Sequence, residues 1–129
     1  MNRKIIIFDD DQDILNICSI ILKGKGYEVR TRNSCVNLLD VIVEFEPLVV
    51  VMDNKIPETG GVEATRLIKT DARTQHIPVI LFSANTHVAE LTREAGADIY
   101  IQKPFDIAQF EDVLEKTINN RSQLKNETV

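Results

Sequence analysis

A continuous apolar run that ends on a carboxylate is the feature that most constrains the fold. Residues 48–52 read Leu-Val-Val-Val-Met, and Asp53 follows them directly. A run of β-branched and aliphatic residues without polar alternation is typical of a strand buried on both faces of a parallel sheet. We therefore predict that Asp53 lies at the C-terminal end of a central strand, the edge at which open α/β sheets bind their ligands.

Strand and helix patterns alternate along the chain. The further predicted strands are Lys4–Asp9, Tyr27–Thr31, Pro78–Ser83 and Ala97–Gln102. The strand at Tyr27–Thr31 alternates apolar and charged residues, which is typical of a half-exposed strand at a sheet edge. The strands at Lys4–Asp9 and Pro78–Ser83 are apolar almost to their last residue, so they are expected to be buried inside the sheet.

Apolar residues at helical spacing predict a helix after each strand. The first helix carries Ile14, Ile17, Cys18 and Ile21 and ends at Gly24 and Gly26. The second follows a Ser34 cap and carries Val36, Leu39, Ile42 and Val43. The third carries Val62, Thr65 and Ile68 and ends at about Asp71. The fourth begins at Asn85 or Thr86 and runs through Val88 and Leu91 to Ala95, and the fifth carries Ile107, Phe110, Leu114, Thr117 and Ile118. Asp106 and Gln109 have the spacing of a capping box at the start of the fifth helix.

Strict alternation of strands and helices with short connections predicts an α/β fold with right-handed crossovers. We expect a doubly wound five-stranded parallel sheet of the flavodoxin-like (βα)5 type, with strand order 2-1-3-4-5. The 129 residues are enough for one hydrophobic core. Residues 1–121 are predicted to form one domain, and 122–129 a polar C-terminal tail that frays.

Composition and charge exclude several classes of function. The formal net charge is −5 and the basic residues are scattered, so we expect no direct nucleic-acid binding. No apolar run approaches the length of a membrane span or a signal peptide, which predicts a cytoplasmic protein without membrane contact. Cys18 and Cys35 have neither metal-ligand spacing nor a disulfide framework, and each is expected to pack as a small hydrophobe.

Polar groups end several of the predicted strands, and the strand order brings them together. Asp9 and Asp10 end the first strand beside Asp53, and carboxylates at one crevice repel one another unless a cation compensates. Hard oxygen ligands open to solvent suit Mg²⁺, which is usually shared with a phosphoryl group. Ser83 follows the fourth strand and Lys103 the fifth, so the sequence predicts a phosphoryl-transfer site.

Other chemically capable side chains have simpler explanations. Asp11 and Asp13 are best explained as first-turn helix charges that the helix dipole favours. His76 and His87 are expected to be surface histidines, since the sequence places no partner for either.

The sequence resembles the receiver domain of two-component response regulators over nearly its whole length. The residues that carry the resemblance are the pair Asp9-Asp10, the pattern Asp53, Pro57 and Gly61, the pair Ser83-Ala84, and the pair Lys103-Pro104. Each motif is weak alone, but together, in this order and at strand ends, they are specific. The departures are mild, with Ile56 where methionine is common and Ser83 where threonine is frequent.

The resemblance implies a single-domain response regulator rather than an enzyme. Asp53 would accept a phosphoryl group from the phosphohistidine of a sensor histidine kinase or a histidine phosphotransfer protein. The Mg²⁺ ligands would be Asp10, Asp53 and the Lys55 backbone carbonyl, with Asp9 acting through water, and no other cofactor is implied. At most, such a domain catalyses its own phosphorylation and dephosphorylation.

The resemblance also implies how the domain responds. Lys103 and Ser83 would bind phosphoryl oxygens, and Tyr100 matches the aromatic position whose rotation reports phosphorylation. Lys55 and Asn85 are expected to overhang the phosphoryl group, beside Ala84. The downstream target, the pathway and the cognate kinase are left open, as is the choice between a monomer and a phosphorylation-dependent homodimer.

Two other classes of function are compatible with an acidic site at this edge of the sheet. A phosphatase with an aspartyl-phosphate intermediate would, by resemblance, carry a D-x-D motif after its first strand and a cap over its substrate. Here the acids are adjacent, and no stretch is left for a cap. A receiver-like domain that is never phosphorylated usually lacks one of the acids or the lysine, and this chain keeps them all.

Overall fold

The fold is described from a computed structural model, which covers the backbone of residues 3–127 and the side chains of residues 3–119. Strands and helices alternate in the order β1 (Lys4–Phe8), α1 (Gln12–Gly24), β2 (Glu28–Arg32), α2 (Leu38–Phe45), β3 (Val49–Asp53), α3 (Gly61–Thr70), β4 (Val79–Ser83), α4 (Val88–Ala95), β5 (Ile99–Gln102) and α5 (Ile107–Glu127). The strands form one parallel sheet in the order β2-β1-β3-β4-β5. The predicted fold class and strand order are confirmed.

Two apolar clusters cover the two faces of the sheet. Leu38, Ile42 and Phe45 of α2 pack with α3 on one face, while α1 and α5 pack on the other. Every residue of β3 and β4 is buried. The predicted edge strand β2 is partly exposed along its whole length, because it pairs only with β1. Burial on both faces explains why β3 and β4 read as unbroken apolar runs.

The apolar residues predicted at helical spacing in the first and last helices are only partly buried. Leu15, Cys18 and Leu22 are the buried residues of α1, whereas Ile17 is 54% exposed. Ile107 at the start of α5 is 53% exposed. The spacing of apolar residues shows which side of a helix faces the sheet. In α1 and α5 that apolar side is wider than the area of sheet that the helix covers.

Two helix starts also differ from the prediction. Helix α2 begins at Leu38 after Asn37, which has a left-handed backbone at φ 56°, so the predicted Ser34 cap is wrong. The Ser34 hydroxyl instead accepts a hydrogen bond from the Val36 N–H at 3.5 Å within a turn. Helix α4 begins at Val88, slightly later than predicted. At α5 the Asp106 half of the capping box is present, since its carboxylate accepts from the Gln109 N–H at 2.7 Å.

The C-terminal part of the chain is helical further than the sequence indicated. Helix α5 continues to Glu127, past the predicted start of the tail at residue 122. The division between a domain at 1–121 and a tail at 122–129 stays a prediction, and residues 128 and 129 lie outside the described part. Within that part, no helix is long and apolar enough to cross a membrane. The predicted cytoplasmic location is not tested by this finding.

Candidate functional site

Three carboxylates converge at the C-terminal edge of the sheet, where β1 and β3 are neighbours. Asp9 follows β1 and is completely buried, and Asp53, the last residue of β3, is 4% exposed. Asp10 lies beside them and is exposed to solvent. One oxygen from each of the three carboxylates lies within 4.8 Å of the others. This is the switch point of the sheet, at which β1 is flanked by β2 and β3.

Lys103 links two of these acids across the cleft. Its Nζ atom lies 2.8 Å from Asp53 Oδ1 and 2.9 Å from Asp9 Oδ2. Burial lowers the pKa of the Lys103 ammonium, but the hydrogen bonds to Asp53 and Asp9 outweigh it, so the pKa lies above its usual value. Burial raises the pKa of the Asp9 carboxyl, and the hydrogen bonds from the Asp11 N–H and Lys103 only partly oppose it. The lysine therefore remains a cation between two buried acids at neutral pH.

Ser83 supplies a hydroxyl at the end of the next strand. It is the last residue of β4 and is 2% exposed. Its Oγ atom accepts a hydrogen bond from the Asn85 N–H at 3.0 Å. The Lys103 N–H donates to the Ser83 carbonyl at 2.7 Å, which joins the ends of β4 and β5. The hydroxyl and the lysine are thus held on the same side of the acids.

The loop between Asp53 and α3 is shaped by Gly61. Its N–H donates to the Asn54 carbonyl at 2.8 Å. A Cβ atom at residue 61 would lie 2.6 Å from Asn54 Cα and also overlap the Asp53 carbonyl oxygen. Only glycine fits there without moving the residues that carry the acid. The predicted role of Gly61 in the loop pattern therefore has a direct steric cause.

The acids open into a cleft of about 170 Å³. Its lining is formed by Asp9, Asp10, Asp11, Asp53, Asn54, Lys55, Ser83, Ala84 and Lys103. Sequence reasoning missed Asn54, although its place directly after Asp53 at a strand end was a usable signal. Asp11 also reaches the lining, but it is the N-cap residue of α1, whose carboxylate accepts from the N–H groups of Asp13 and Ile14, and not the predicted first-turn charge. Asp13 does lie in the first turn, as predicted.

Two of the predicted residues do not line the cleft. Tyr100 lies on β5 and is 40% exposed. Asn85 is exposed, and its side-chain oxygen accepts a hydrogen bond from the His87 N–H at 2.7 Å. Asn85 is therefore directed toward the start of α4 in this structure. The histidines at 76 and 87 are both exposed, as predicted.

The cysteines pack as predicted for core thiols. Cys18 is 1% exposed on the buried side of α1, and Cys35 is half-buried against the other apolar cluster. Burial raises the pKa of each thiol to about 11. Both thiols are therefore protonated at neutral pH.

An apolar groove adjoins the acidic cleft, and we call it the α1 groove. It has a volume of about 320 Å³ and is lined by Ile14, Ile17, Cys18, Ile21, Ala84, Lys103, Pro104, Phe105 and Ile107. Ala84 and Lys103 belong to both the groove and the cleft. The sequence placed these isoleucines on the apolar sides of two helices, and the groove between them was not predicted.

The donor set fits a hard divalent cation. Carboxylate oxygens from Asp9, Asp10 and Asp53 lie close enough to be shared by one ion, and one of the three acids is open to solvent. Such an all-oxygen, partly solvated set is typical of Mg²⁺ sites, in which the ion keeps several waters.

A parallel (βα)5 sheet with acids, a hydroxyl and a lysine at its switch point defines the class of CheY-like signalling domains. The sequence profile of the response regulator receiver domain matches residues 5–115. The chain therefore belongs to the response regulator receiver family of two-component signalling. Members of this family are phosphoacceptors and bind Mg²⁺ at an acidic pocket.

Individual relatives agree with this assignment. The chain is 30% identical over 123 residues to the polar-differentiation response regulator DivK of Brucella anthropi, covering 93% of this chain and 99% of that protein. A CheY-like receiver domain protein from Methanospirillum hungatei JF-1 superposes with a TM-score of 0.85 at 24% identity, over 95% and 98% of the two chains. The receiver domain of the sensor histidine kinase PA1611 from Pseudomonas aeruginosa PAO1 has magnesium coordinated in its active-site cleft. It superposes with a TM-score of 0.82 at 23% identity, over 92% of this chain and 99% of that chain. The two structural matches show the shared fold.

Proposed function

We propose that the domain acts as a single-domain response regulator whose Asp53 accepts a phosphoryl group from the phosphohistidine of a histidine kinase or a histidine phosphotransfer protein. The observation that carries this proposal is the Lys103 ammonium, 2.8 Å from Asp53 and within a cleft that also holds Asp10 and Ser83. An Asp53 oxygen forms a bond to phosphorus while the phosphorus–nitrogen bond of the donor breaks. The imidazole nitrogen leaves with the electron pair of that bond.

The residues around Asp53 have separate roles in this transfer. Lys103 pairs with an incoming phosphoryl oxygen, and the Ser83 hydroxyl donates a hydrogen bond to another. Asp10, Asp53 and the Lys55 backbone carbonyl would hold Mg²⁺, with Asp9 acting through water. The ion would supply positive charge beside the phosphoryl oxygens.

The α1 groove is proposed as the surface that receives the helix carrying the donor histidine. A donor must cover the mouth of the cleft to bring its histidine to Asp53, and the groove continues that mouth through Ala84. Ile17 and Ile107 are each more than half exposed at the groove, which suits an apolar helix face. Ile17→Asp should slow labelling by a phosphorylated histidine phosphotransfer protein and leave labelling by phosphoramidate unchanged. Equal effects on both donors would exclude this surface.

Phosphorylation is proposed to change the face formed by α4, β5 and α5. Ser83 and Lys103 end β4 and β5, so their movement toward a phosphoryl group alters the adjoining loops. Exposed Tyr100 lies on this face and provides a reporter. Addition of beryllofluoride and Mg²⁺ should give the largest remote NMR shifts near Ala84, Tyr100 and α5. Shifts confined to the Asp53 loop would argue against a switch on this face.

Mass spectrometry after incubation with phosphoramidate and Mg²⁺ tests the central proposal. The wild type should gain one phosphoryl group, mapped to Asp53, and chelation of Mg²⁺ should prevent it. Asp53→Asn should remain unlabelled; labelling of this variant in the same cleft at the normal rate would refute the assignment.

In a metal titration, Asp10→Ala should weaken Mg²⁺ binding far more than Asp11→Ala, because Asp11 caps α1.

A further inference from the structure

The outer side of β2 is an open strand edge. β2 lies at one end of the sheet and pairs with β1 alone. The Glu28 N–H donates to the Arg3 carbonyl at 2.9 Å, so the even-numbered residues of β2 bond to the neighbouring chain segment of β1. Backbone groups alternate in direction along a strand, and those of Val29 and Thr31 therefore point away from the sheet. This edge can pair with a further strand.

The side chains along this edge alternate in the sign of their charge. Glu28 and Arg30 lie two residues apart on the same face of β2, and both are exposed. The Arg30 guanidinium lies 4.3 Å from the centroid of the Phe45 ring. Stacking orders the guanidinium and keeps its N–H donors in their own plane, so less side-chain entropy is lost when it pairs. An acid and a base at this spacing match an antiparallel copy of themselves.

We infer that β2 pairs with β2 of a second copy of this chain, antiparallel about a two-fold axis at Val29. The axis places Glu28 opposite Arg30 of the second copy, and Arg30 opposite Glu28 of the second copy. Both pairs occupy non-hydrogen-bonded positions of the ladder, where opposed side chains are closest. The two sheets then form one continuous sheet.

The open backbone groups of the edge are satisfied in this arrangement. The two Val29 residues form a hydrogen-bonded pair and exchange two main-chain bonds. Each Thr31 N–H donates to the Tyr27 carbonyl of the other copy. The Tyr27 N–H is already bonded to the Leu22 carbonyl at 3.1 Å, so only the carbonyl of Tyr27 takes part.

The charges select this register over the neighbouring one. An axis at Arg30 would also pair the open backbone groups, but it would set the two Arg30 side chains directly opposite each other, which is unfavourable. With the axis at Val29, Arg32 lies opposite Gly26 of the second copy, which carries no charge. No like charges are then directly opposed within residues 26–32.

An exposed apolar side chain lies beside the same edge. Ile20 of α1 is 73% exposed and, unlike Ile17, does not line the α1 groove. It belongs to the i, i+4, i+8 row that begins at Gln12, and Gln12 lines a polar pocket of about 250 Å³ together with Thr31 and Arg32. A two-fold axis perpendicular to the sheet brings the α1 helices of both copies side by side, and Ile20 is then covered.

Pairing through β2 does not depend on the proposed phosphoryl transfer. Because the paired strands are antiparallel, the two acidic clefts lie at opposite ends of the continuous sheet. The face formed by α4, β5 and α5 lies at the other edge of each sheet, away from β2. The interface is small, so we expect weak association, which is measured at chain concentrations up to about 1 mM.

Sedimentation equilibrium of the whole chain in EDTA measures the dissociation constant of the dimer. Glu28→Arg and Arg30→Glu should each raise it about tenfold, because the two-fold axis turns two attractive pairs into two repulsive ones. The double variant Glu28→Arg/Arg30→Glu keeps the net charge of −5 and exchanges the paired charges. It should restore the dissociation constant to within about threefold of wild type.

Arg32→Glu is the matched control for the charge reversals. It changes the net charge by as much as Arg30→Glu, but residue 32 lies opposite Gly26, so the dissociation constant should stay within about threefold of wild type. A second pair of variants tests α1: Ile20→Ser should weaken the dimer about threefold, and Ile17→Ser should leave it unchanged.

Hydrogen exchange of the backbone amides gives a readout that does not depend on charge. Protection of the Val29 and Thr31 N–H groups should rise with chain concentration, since these groups gain acceptors only in the dimer. In Glu28→Arg this rise should move to higher chain concentration, in step with the dissociation constant.

Several results would overturn the inference. A chain that stays monomeric at about 1 mM excludes the pairing. A dimer that forms only with beryllofluoride and Mg²⁺, or one that Arg32→Glu and Arg30→Glu weaken equally, has another interface or register. If Val29 and Thr31 of a monomer are protected only by an added extended peptide of alternating glutamate and valine, the edge binds an acidic strand and not a second copy. A chain that dimerises but is never labelled by phosphoramidate would overturn the proposed function alone.

Discussion

Replacing Lys103 with methionine should make folding stability depend on Mg²⁺. The Lys103 side chain is 19% exposed, and its partners Asp9 and Asp53 have side chains that are 0% and 6% exposed. Methionine keeps most of the length and apolar stem but leaves two buried carboxylates without their cation. Removing one partner from a buried ion pair costs about 3–5 kcal/mol, and the partial exposure of the lysine places this case near 3 kcal/mol.

Urea denaturation of the wild type and Lys103→Met, in EDTA and in Mg²⁺, measures this effect. In EDTA the variant should have a free energy of unfolding lower by about 3 kcal/mol. Added Mg²⁺ should stabilise the variant more than the wild type, since the freed carboxylates bind the ion without competition from the ammonium. Lys55→Met is the matched control: Lys55 lines the same cleft but is exposed, so its removal should change the free energy of unfolding by less than about 0.5 kcal/mol.

The reasoning is refuted if Lys103→Met is as stable as the wild type in EDTA, because the two acids would then need no compensating cation. It is also refuted if Lys55→Met loses as much stability as Lys103→Met. That result would mean that the stability comes from the total charge of the cleft and not from the bridge between Asp9 and Asp53.

Three further predictions use other parts of the molecule. Gly61→Ala should lower the free energy of unfolding by about 2 kcal/mol in urea denaturation, since its Cβ would overlap the backbone of Asn54, whereas Gly24→Ala meets no atom within 4 Å and should not destabilise. We propose that the Lys55 side chain covers the phosphoryl group, where an ammonium offers donors but no acceptor for a proton of the attacking water; Lys55→Asn should therefore speed hydrolysis of the phosphorylated form about threefold. Cys18, with a pKa of about 11, should react with iodoacetamide at pH 8 roughly a hundredfold more slowly than an unperturbed thiol.

Each of these has a clear contrary result. Equal stability of the two alanine variants would show that the loop after Asp53 yields without cost. Equal or slower decay in Lys55→Asn would mean that the lysine stabilises the transition state instead of shielding the adduct. Rapid alkylation of native Cys18 would show that α1 opens readily from the sheet.

The sequence determined the order of elements and the chemistry at the strand ends, because both are local properties of the chain. A strand buried on both faces must be apolar throughout, so β3 and β4 were recognisable from their residues alone. A parallel sheet places the polar residue after each strand at one edge, which is why Asp9, Asp53 and Ser83 could be assigned to one site before any coordinates. Gly61 could be placed in the loop pattern, although the overlap that requires glycine there is a tertiary contact.

Only the tertiary structure decided which side chains meet and which apolar residues stay exposed. Lys103 bridges acids that are 94 and 50 residues away in the chain, and its choice of partners depends on the strand order and on rotamers that no local pattern encodes. The exposure of Ile17 depends on how much of the sheet surface α1 covers. Helical periodicity identifies the apolar side of a helix but not which residues at its margins are buried. The orientation of Asn85 is set by the available His87 N–H at the start of α4, a start that itself depends on how the helix docks.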